Sequence, residues 1–345
     1  MERPDLTDIP EDIVQYIEFL EMSLQQRNTR KSQSDSGVDE EIFEPAELPG
    51  TQNVITLTAA GIGKRSPRHL YSRQRRGGMG IFDLEAPEGD SPALLAIVEE
   101  TDALLLFTNQ GRAFRLEVSQ LPLVDVRSKG TNLAERLQLR PGEYFVAALP
   151  ATEGVYVALA SERGWVRRVR SSYFTNRMLQ GTSFHNVQEG GYLASACWTN
   201  GRRRLFMATV GGQGIRFDEN QVPNRGCLGM RVSLDDKLVA VSATDDDAGL
   251  FLIGADGKGT IRLMEGFRQN KAPGAGGKVV MKTDNLIAAC DVENGDDLLA
   301  ITRQGKIIRF AADEVPSKAG VVQGVNCVNL RADEVAAVCR LRKLS

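Results

Sequence analysis

One short phrase occurs six times in this chain, and self-similarity at a fixed period restricts the possible folds more than any other feature. Apolar residues lead into a small or polar turn with glycine, and an arginine follows at a nearly constant offset. The copies are NVITLTAAGIGKR (Gly61, Arg65), ALLLFTNQGRAFR (Gly111, Arg115), VYVALASERGWVRR (Gly164, Arg168), RLFMATVGGQGIR (Gly212, Arg216), LFLIGADGKGTIR (Gly257, Arg262) and LLAITRQGKIIR (Gly305, Arg309). Successive arginines stand 50, 53, 48, 46 and 47 residues apart. A second marker keeps the same beat: a short strand mixing large and small residues, with Ala96, Val146, Ala194, Ala240, Ala288 and Ala337 as its counting positions.

Each unit reads as strands separated by Gly, Asn and Asp turns, without a long helical period. Acidic runs such as Asp245–Asp247 read as turn residues at the junctions. Units of this size, with about four strands, match propeller blades. One blade cannot cover its own apolar faces; six around an axis can, and closing the ring leaves only short edges. The expected fold is all-β, a six-bladed propeller over 51–345, with blades near 51–101, 102–152, 153–202, 203–247, 248–296 and 297–345. An open β-solenoid is the alternative, but no unit looks like a polar capping repeat. The recurring arginine has two readings, an architectural position at a strand end or one that also adds to a basic rim.

Residues 1–50 differ from the rest. Ile13, Val14, Ile17, Leu20 and Leu24 fall on one stripe, predicting a helix over about 9–26 with Asp8 as N-cap; a polar, acidic linker follows to Gly50. This arm holds 13 acids and 4 bases, whereas the remaining residues hold 32 acids and 38 bases. The overall charge of −3 thus hides a basic body. There is no run of 18 apolar residues and no signal-peptide pattern. The five cysteines form no C-x-x-C pair, so free, mostly buried thiols in a reducing cytoplasm are expected. No metal site and no cofactor are expected.

The first unit contains YSRQRRGGMGIF. This segment resembles the GyrA box, Q-R-R-G-G-K-G, which marks the C-terminal domain of the bacterial DNA gyrase A subunit, and the whole of 51–345 is similar to that domain. The topoisomerase IV counterpart has a related domain with a degraded box or none, so the near-intact box favours gyrase. The resemblance implies a β-pinwheel, a propeller-like disc with its own blade topology and double-stranded DNA bent around its basic rim. The box would lie on the loop joining first and last blades. By position, Gln74, Arg75, Arg76, Gly77, Gly78 and Gly80 occupy box positions, and Met79 stands where the family has lysine, which removes a cation. Only a helix and a linker precede residue 51, so no DNA-cleaving region with its tyrosine is expected, and the function expected is non-catalytic. The implied partners are DNA and a subunit of gyrase or topoisomerase IV, in the cytoplasm at the nucleoid.

Between Lys64 and Arg76 stand six permanent cations, Lys64, Arg65, Arg68, Arg73, Arg75 and Arg76, together with His69 and no acid. Grouped on one loop, they would neutralise neighbouring phosphates in a sequence-independent, salt-sensitive way, and the arginine fork suits phosphate. The glycines would permit positive φ and bring backbone N–H groups near phosphates. The alternative is a solvated basic loop with a tight turn. Arg163–Arg170 and Arg202–Arg204 extend the basic track or are ordinary exposed faces. KAPGAGGK (271–278) resembles a decayed second box; lacking G-K-[ST] after a strand, it is not a phosphate-binding P-loop. A protein-interaction propeller that retains an ancestral box is the competing function. No acid pair, nucleophile–base pair or metal cluster recurs among the units, so an enzyme is the weakest reading.

Overall fold

The computed structural model describes residues 47–343. The expected helix at 9–26 and nearly all of the acidic linker lie outside the described residues. Six sheets surround an axis, antiparallel except for a short parallel pairing of Ser317–Lys318 in blade 5, and each is built on one of the six repeats. The pattern is clearest in blade 1. Strand Gln52–Thr58 turns back into Ile62–Pro67 to make the hairpin, and Pro92–Glu99 pairs on its axial side. The six axial strands line a central cavity of about 620 Å³, walled largely by Ala, Ser, Val and Cys. Their small side chains let the six strands converge, which is why this segment mixes large and small residues in every unit.

Each hairpin turn is closed in the same manner. The hydroxyl at the end of the first strand accepts the backbone N–H four residues on. Thr58 takes that of Ile62, Thr108 that of Arg112, Ser161 that of Trp165, Thr209 that of Gln213 and Thr302 that of Lys306. Blade 5 has Gly254 at this place and uses the Asp256 carboxylate for Lys258 instead. The turn glycines have φ between 69° and 88°, a region costly for residues with a Cβ. At the same point all six sheets shift register between hairpin and axial strand, as between Leu57 and Thr58. Such a bulge increases local twist.

The fourth, outermost strand of every sheet comes from the next repeat. Thr131–Asn132 pairs with the blade 1 hairpin, Thr182–Ser183 with blade 2, Cys227–Leu228 with blade 3, Lys278–Val279 with blade 4 and Val325–Asn326 with blade 5. Blade 6 takes its outer strand from the first repeat, where Ile81–Phe82 pairs with Lys306–Ile307. Blades are therefore interleaved rather than contiguous in sequence. Hydrophobic clusters fill the spaces between neighbouring blades: Phe107 of one packs edge-on against Phe174 of the next at 5.6 Å, and Trp198 joins them. The last such cluster unites Val54, Tyr71 and Leu95 with Leu299, Ile301, Ile307 and Leu341, closing the ring. Each large side chain so buried contributes about 1.5–3 kcal/mol.

Candidate nucleic-acid interface

The box lies on the loop that closes the ring. After a 3-10 turn at Arg68–Leu70, the chain leaves blade 1 and crosses to the last two blades. The Gln74 N–H donates to the Arg309 carbonyl, the Gly77 N–H to that of Cys327, and Gly78 accepts from the Asn329 N–H. Gly77 and Gly80 have φ of 78° and 67°. A Cβ at Gly80 would run into the Ile307 carbonyl, so the close approach that starts the outer strand of blade 6 requires glycine. The glycines therefore serve ring closure, and the Gly77 N–H is already occupied.

The cations beside them are placed very unevenly. Lys64 is 1% exposed and donates to the Asp83 carboxylate (2.7 Å) and carbonyl (2.6 Å). Tyr71 and Thr56 donate to the same carboxylate at 2.6 and 2.9 Å. Burial lowers the Lys64 pKa, and Asp83 opposes that shift. Arg65 is buried 3.5 Å from Glu100. Arg68, also buried, is held by Glu47 at 2.7 Å and Gln52 at 2.6 Å. Half-buried Arg73 pairs with Asp297 at 2.9 Å. Arg76 donates from Nε to the Glu314 carbonyl (2.8 Å) and from Nη1 to that of Asn326 (3.0 Å), bracing the box against blade 6 and the blade 5 outer strand. Gln74 is half-buried; of the box side chains only Arg75 and Met79 are exposed. Thus Lys64, Arg65 and Arg68 do not present the phosphate-facing cluster that their spacing suggested. Their charges are buried against carboxylates from elsewhere in the chain.

The recurring arginine is chiefly architectural. Arg65, Arg216, Arg262 and Arg309 are buried, and Arg115 and Arg168 are half-buried. Arg168 pairs with Glu219 at 3.0 Å and Arg309 with Asp297 at 2.7 Å, while Arg216 meets Asp246 and Arg115 meets Glu117. Asp246 and Asp247 lie in a turn, as expected of 245–247, and Asp245 and Asp246 are also partners for Arg203, Arg204 and Arg216.

Exposed positive charge gathers instead on blades 3 and 4. Residues 163–231 contain eleven arginines against three carboxylates, whereas the rest of 51–345 holds 27 bases and 29 acids. Arg163, Arg170, Arg177, Arg202, Arg225 and Arg231 are exposed, and none forms an ion pair among the described residues. Arg167 bridges to the carbonyls of Asn224 and Phe184 at 3.1 Å each. Arg163–Arg170 and Arg202–Arg204 stand out as basic runs, but Arg177, Arg225 and Arg231 stand singly and emerge only when charge is summed over two repeats. The KAPGAGGK segment repeats part of the box geometry two blade boundaries away, beside the outer strand of blade 4. Gly274 has φ 87°, its N–H donates to Gly229, and Lys271 and Lys278 are exposed.

Among the described residues there is no cluster of three or more His, Cys, Asp or Glu suited to a metal, and no helix is long and apolar enough to cross a membrane. All five thiols are free; Cys327 is buried and the other four are half-buried, with Cys197, Cys290 and Cys339 lining the central cavity. Burial pushes the Cys327 and Cys339 thiols up to about 12.

A family model described as DNA gyrase C-terminal domain, beta-propeller, matches residues 52–91, 102–152, 203–245 and 296–336, just over half of the chain. The DNA gyrase A subunit of Mycolicibacterium smegmatis is 28% identical over 332 residues, covering 91% of this chain and 38% of that protein. The DNA gyrase A subunit of Chlamydia pneumoniae is 30% identical over 308 residues, covering 85% of this chain and 37% of that protein. The chain therefore spans less than two-fifths of these relatives. A solved DNA gyrase A C-terminal domain superposes with a TM-score of 0.75 at 20% identity, over 84% of this chain and all of the other. The C-terminal domain of DNA topoisomerase IV gives 0.59 at 18% identity, over 85% and 94%. With the six interleaved blades and the ring-closing box, these matches place the chain in the DNA gyrase C-terminal domain, beta-propeller family.

Proposed function

We propose that this disc is a non-catalytic module that binds double-stranded DNA largely without regard to sequence and bends it around its rim, serving gyrase or topoisomerase IV at the nucleoid. The observation that carries the reading is the arginine surplus on blades 3 and 4, with six exposed guanidiniums that have no carboxylate partner among the described residues. Bending 20–30 base pairs by 40–90° costs of order 1–6 kcal/mol. Clustered phosphate contacts and the release of their counterions offset that cost. Arg75 adds a contact at the ring closure; Gln74, Arg76, Gly77, Gly78 and Gly80 act by holding the loop that presents it. Lys271 and Lys278 add a further one at the blade 4–5 boundary.

The test is a topology assay. Relaxed plasmid is incubated with this protein and a nicking-closing enzyme, and linking number is read on a gel. A shift that fades as salt rises is expected; no shift at low salt overturns the proposal. The second reading is a protein-interaction propeller, favoured by the half-exposed apolar residues Phe82, Leu228 and Val279 on the outermost strands of blades 6, 3 and 4. It predicts that same null result.

A further inference from the structure

The carboxylate of Glu47 occupies a built anion site. It receives Arg68 Nη2 at 2.7 Å and Arg309 Nη1 at 2.6 Å, guanidiniums from opposite sides of the seam where blade 1 meets blade 6. Both arginine side chains are more than nine-tenths buried, at 8% and 7% exposure, while the Glu47 side chain is 23% exposed. The carboxylate therefore lies on the solvent side of the two cations. Burial alone would raise its pKa, but hydrogen bonding and the charges of Arg309 and Arg68 outweigh burial and hold it below its usual range. Behind it, Arg309 also binds Asp297 at 2.7 Å and the Tyr71 carbonyl at 3.1 Å, and Asp297 binds Arg73 at 2.9 Å. With Glu47 in place the cluster of Arg68, Arg73, Arg309, Asp297 and Glu47 carries one net positive charge; with Glu47 displaced it carries two.

We propose that Glu47 is an internal stand-in for a DNA phosphate: the Arg68–Arg309 pair is a phosphate site at the ring closure, held shut by this carboxylate and opened when a backbone phosphate replaces it. The inference rests on the DNA-binding reading above and adds to it a self-inhibited contact. Two arginine forks facing one point suit a tetrahedral oxyanion at least as well as a carboxylate. The exchange conserves ion pairing inside the seam, so the buried guanidiniums are never left without an anion, which would be costly. The site adjoins the box: Arg73 pairs with Asp297 behind Arg309, the Gln74 N–H donates to the Arg309 carbonyl, and the next residue, Arg75, is exposed. DNA that reaches Arg75 therefore arrives where the exchange can occur.

The experiment compares the full chain with its Glu47→Gln variant in binding to a 40-base-pair duplex over a range of salt. The variant is expected to bind about five- to tenfold more tightly. Its log–log salt slope should stay the same, because the same phosphate ends in the site of both proteins and only the competing carboxylate is gone. Adding Arg68→Gln to Glu47→Gln should cancel the gain in affinity and flatten the slope by about 0.9. Because Glu47 also ties two blades together, a parallel measurement follows the Arg68 and Arg309 Nε–H resonances of the unaltered chain during titration with the same duplex, and both are expected to move. Equal affinity in the two proteins, or arginine resonances that stay fixed at saturating DNA, overturn the phosphate site and leave the DNA-binding reading standing. Failure of both proteins to bind the duplex at low salt overturns both.

Discussion

The segment 64–76 and the stretch 163–231 are both rich in arginine, and they put that charge to opposite uses. In the first, six cations stand within thirteen residues without one acid. Yet Asp83, Glu100, Glu47 and Asp297 reach them from elsewhere in the chain, and only Arg75 remains exposed without an ion pair among the described residues. In the second the arginines are spread over two repeats, and six of them face solvent. The difference lies in what each region must do. The first repeat joins the last, and a seam between two strands far apart in sequence needs contacts that no other pair of blades can imitate. Asp83 makes the point: the corresponding residue is Leu133, Phe184 or Val280 in other repeats, all buried and apolar. A buried Lys64–Asp83 pair with Tyr71 and Thr56 is satisfied only in the correct seam, a use of buried polarity for specificity more than for stability.

Three measurements bear on this contrast. The largest effect is expected from Asp83→Ala, which leaves Lys64 buried without an anion and should cost about 3–5 kcal/mol in denaturant unfolding. Arg225→Gln on blade 3's outer loop should stay within about 0.5 kcal/mol of the parent. If the two cost the same, the seam is not special. Next, replacing Arg163, Arg170, Arg177 and Arg225 together by Gln should flatten the log–log salt slope of duplex binding by about 0.9 for each phosphate no longer neutralised. Arg75→Ala should flatten it by only about one such step. A larger effect from Arg75 would return the interface to the box. The smallest concerns acid. Because the folded Glu47 pKa lies below the usual value of 4.5, its contribution is present above that pH and is lost as pH falls through the folded value. The gap in Tm between the unaltered chain and Glu47→Gln should therefore be open at pH 7 and narrow below about pH 4. A gap independent of pH would mean that the ion pairs of Glu47 do not hold the seam.

The blades themselves were legible because one turn had to be built six times. A positive-φ glycine and an arginine four or five residues on carry the period in plain sight. The threonine or serine that closes five of the turns was there too, within what the sequence showed only as a small or polar turn. The exchange of outer strands was not legible from the repeats. A two-residue strand such as Thr131–Asn132 has no period of its own, and its pairing to the preceding hairpin is a tertiary choice. Among the site residues, the sequence exposed the charge of Arg65 and Arg68 but not the distant acids that cancel it. No local pattern links Glu47 to Arg309, since their meeting exists only once the ring is shut.

The borrowed strand of the last blade has a consequence for how the molecule is made. Ile81–Phe82 belongs to the first repeat, but its partner Lys306–Ile307 is synthesised only after four further repeats. Until then the first repeat has an arm without a seat, and the newest repeat always waits for the one behind it to supply an edge. Such a chain is exposed to strand capture by a neighbour on the same message, where the arm of one copy completes the sixth blade of another.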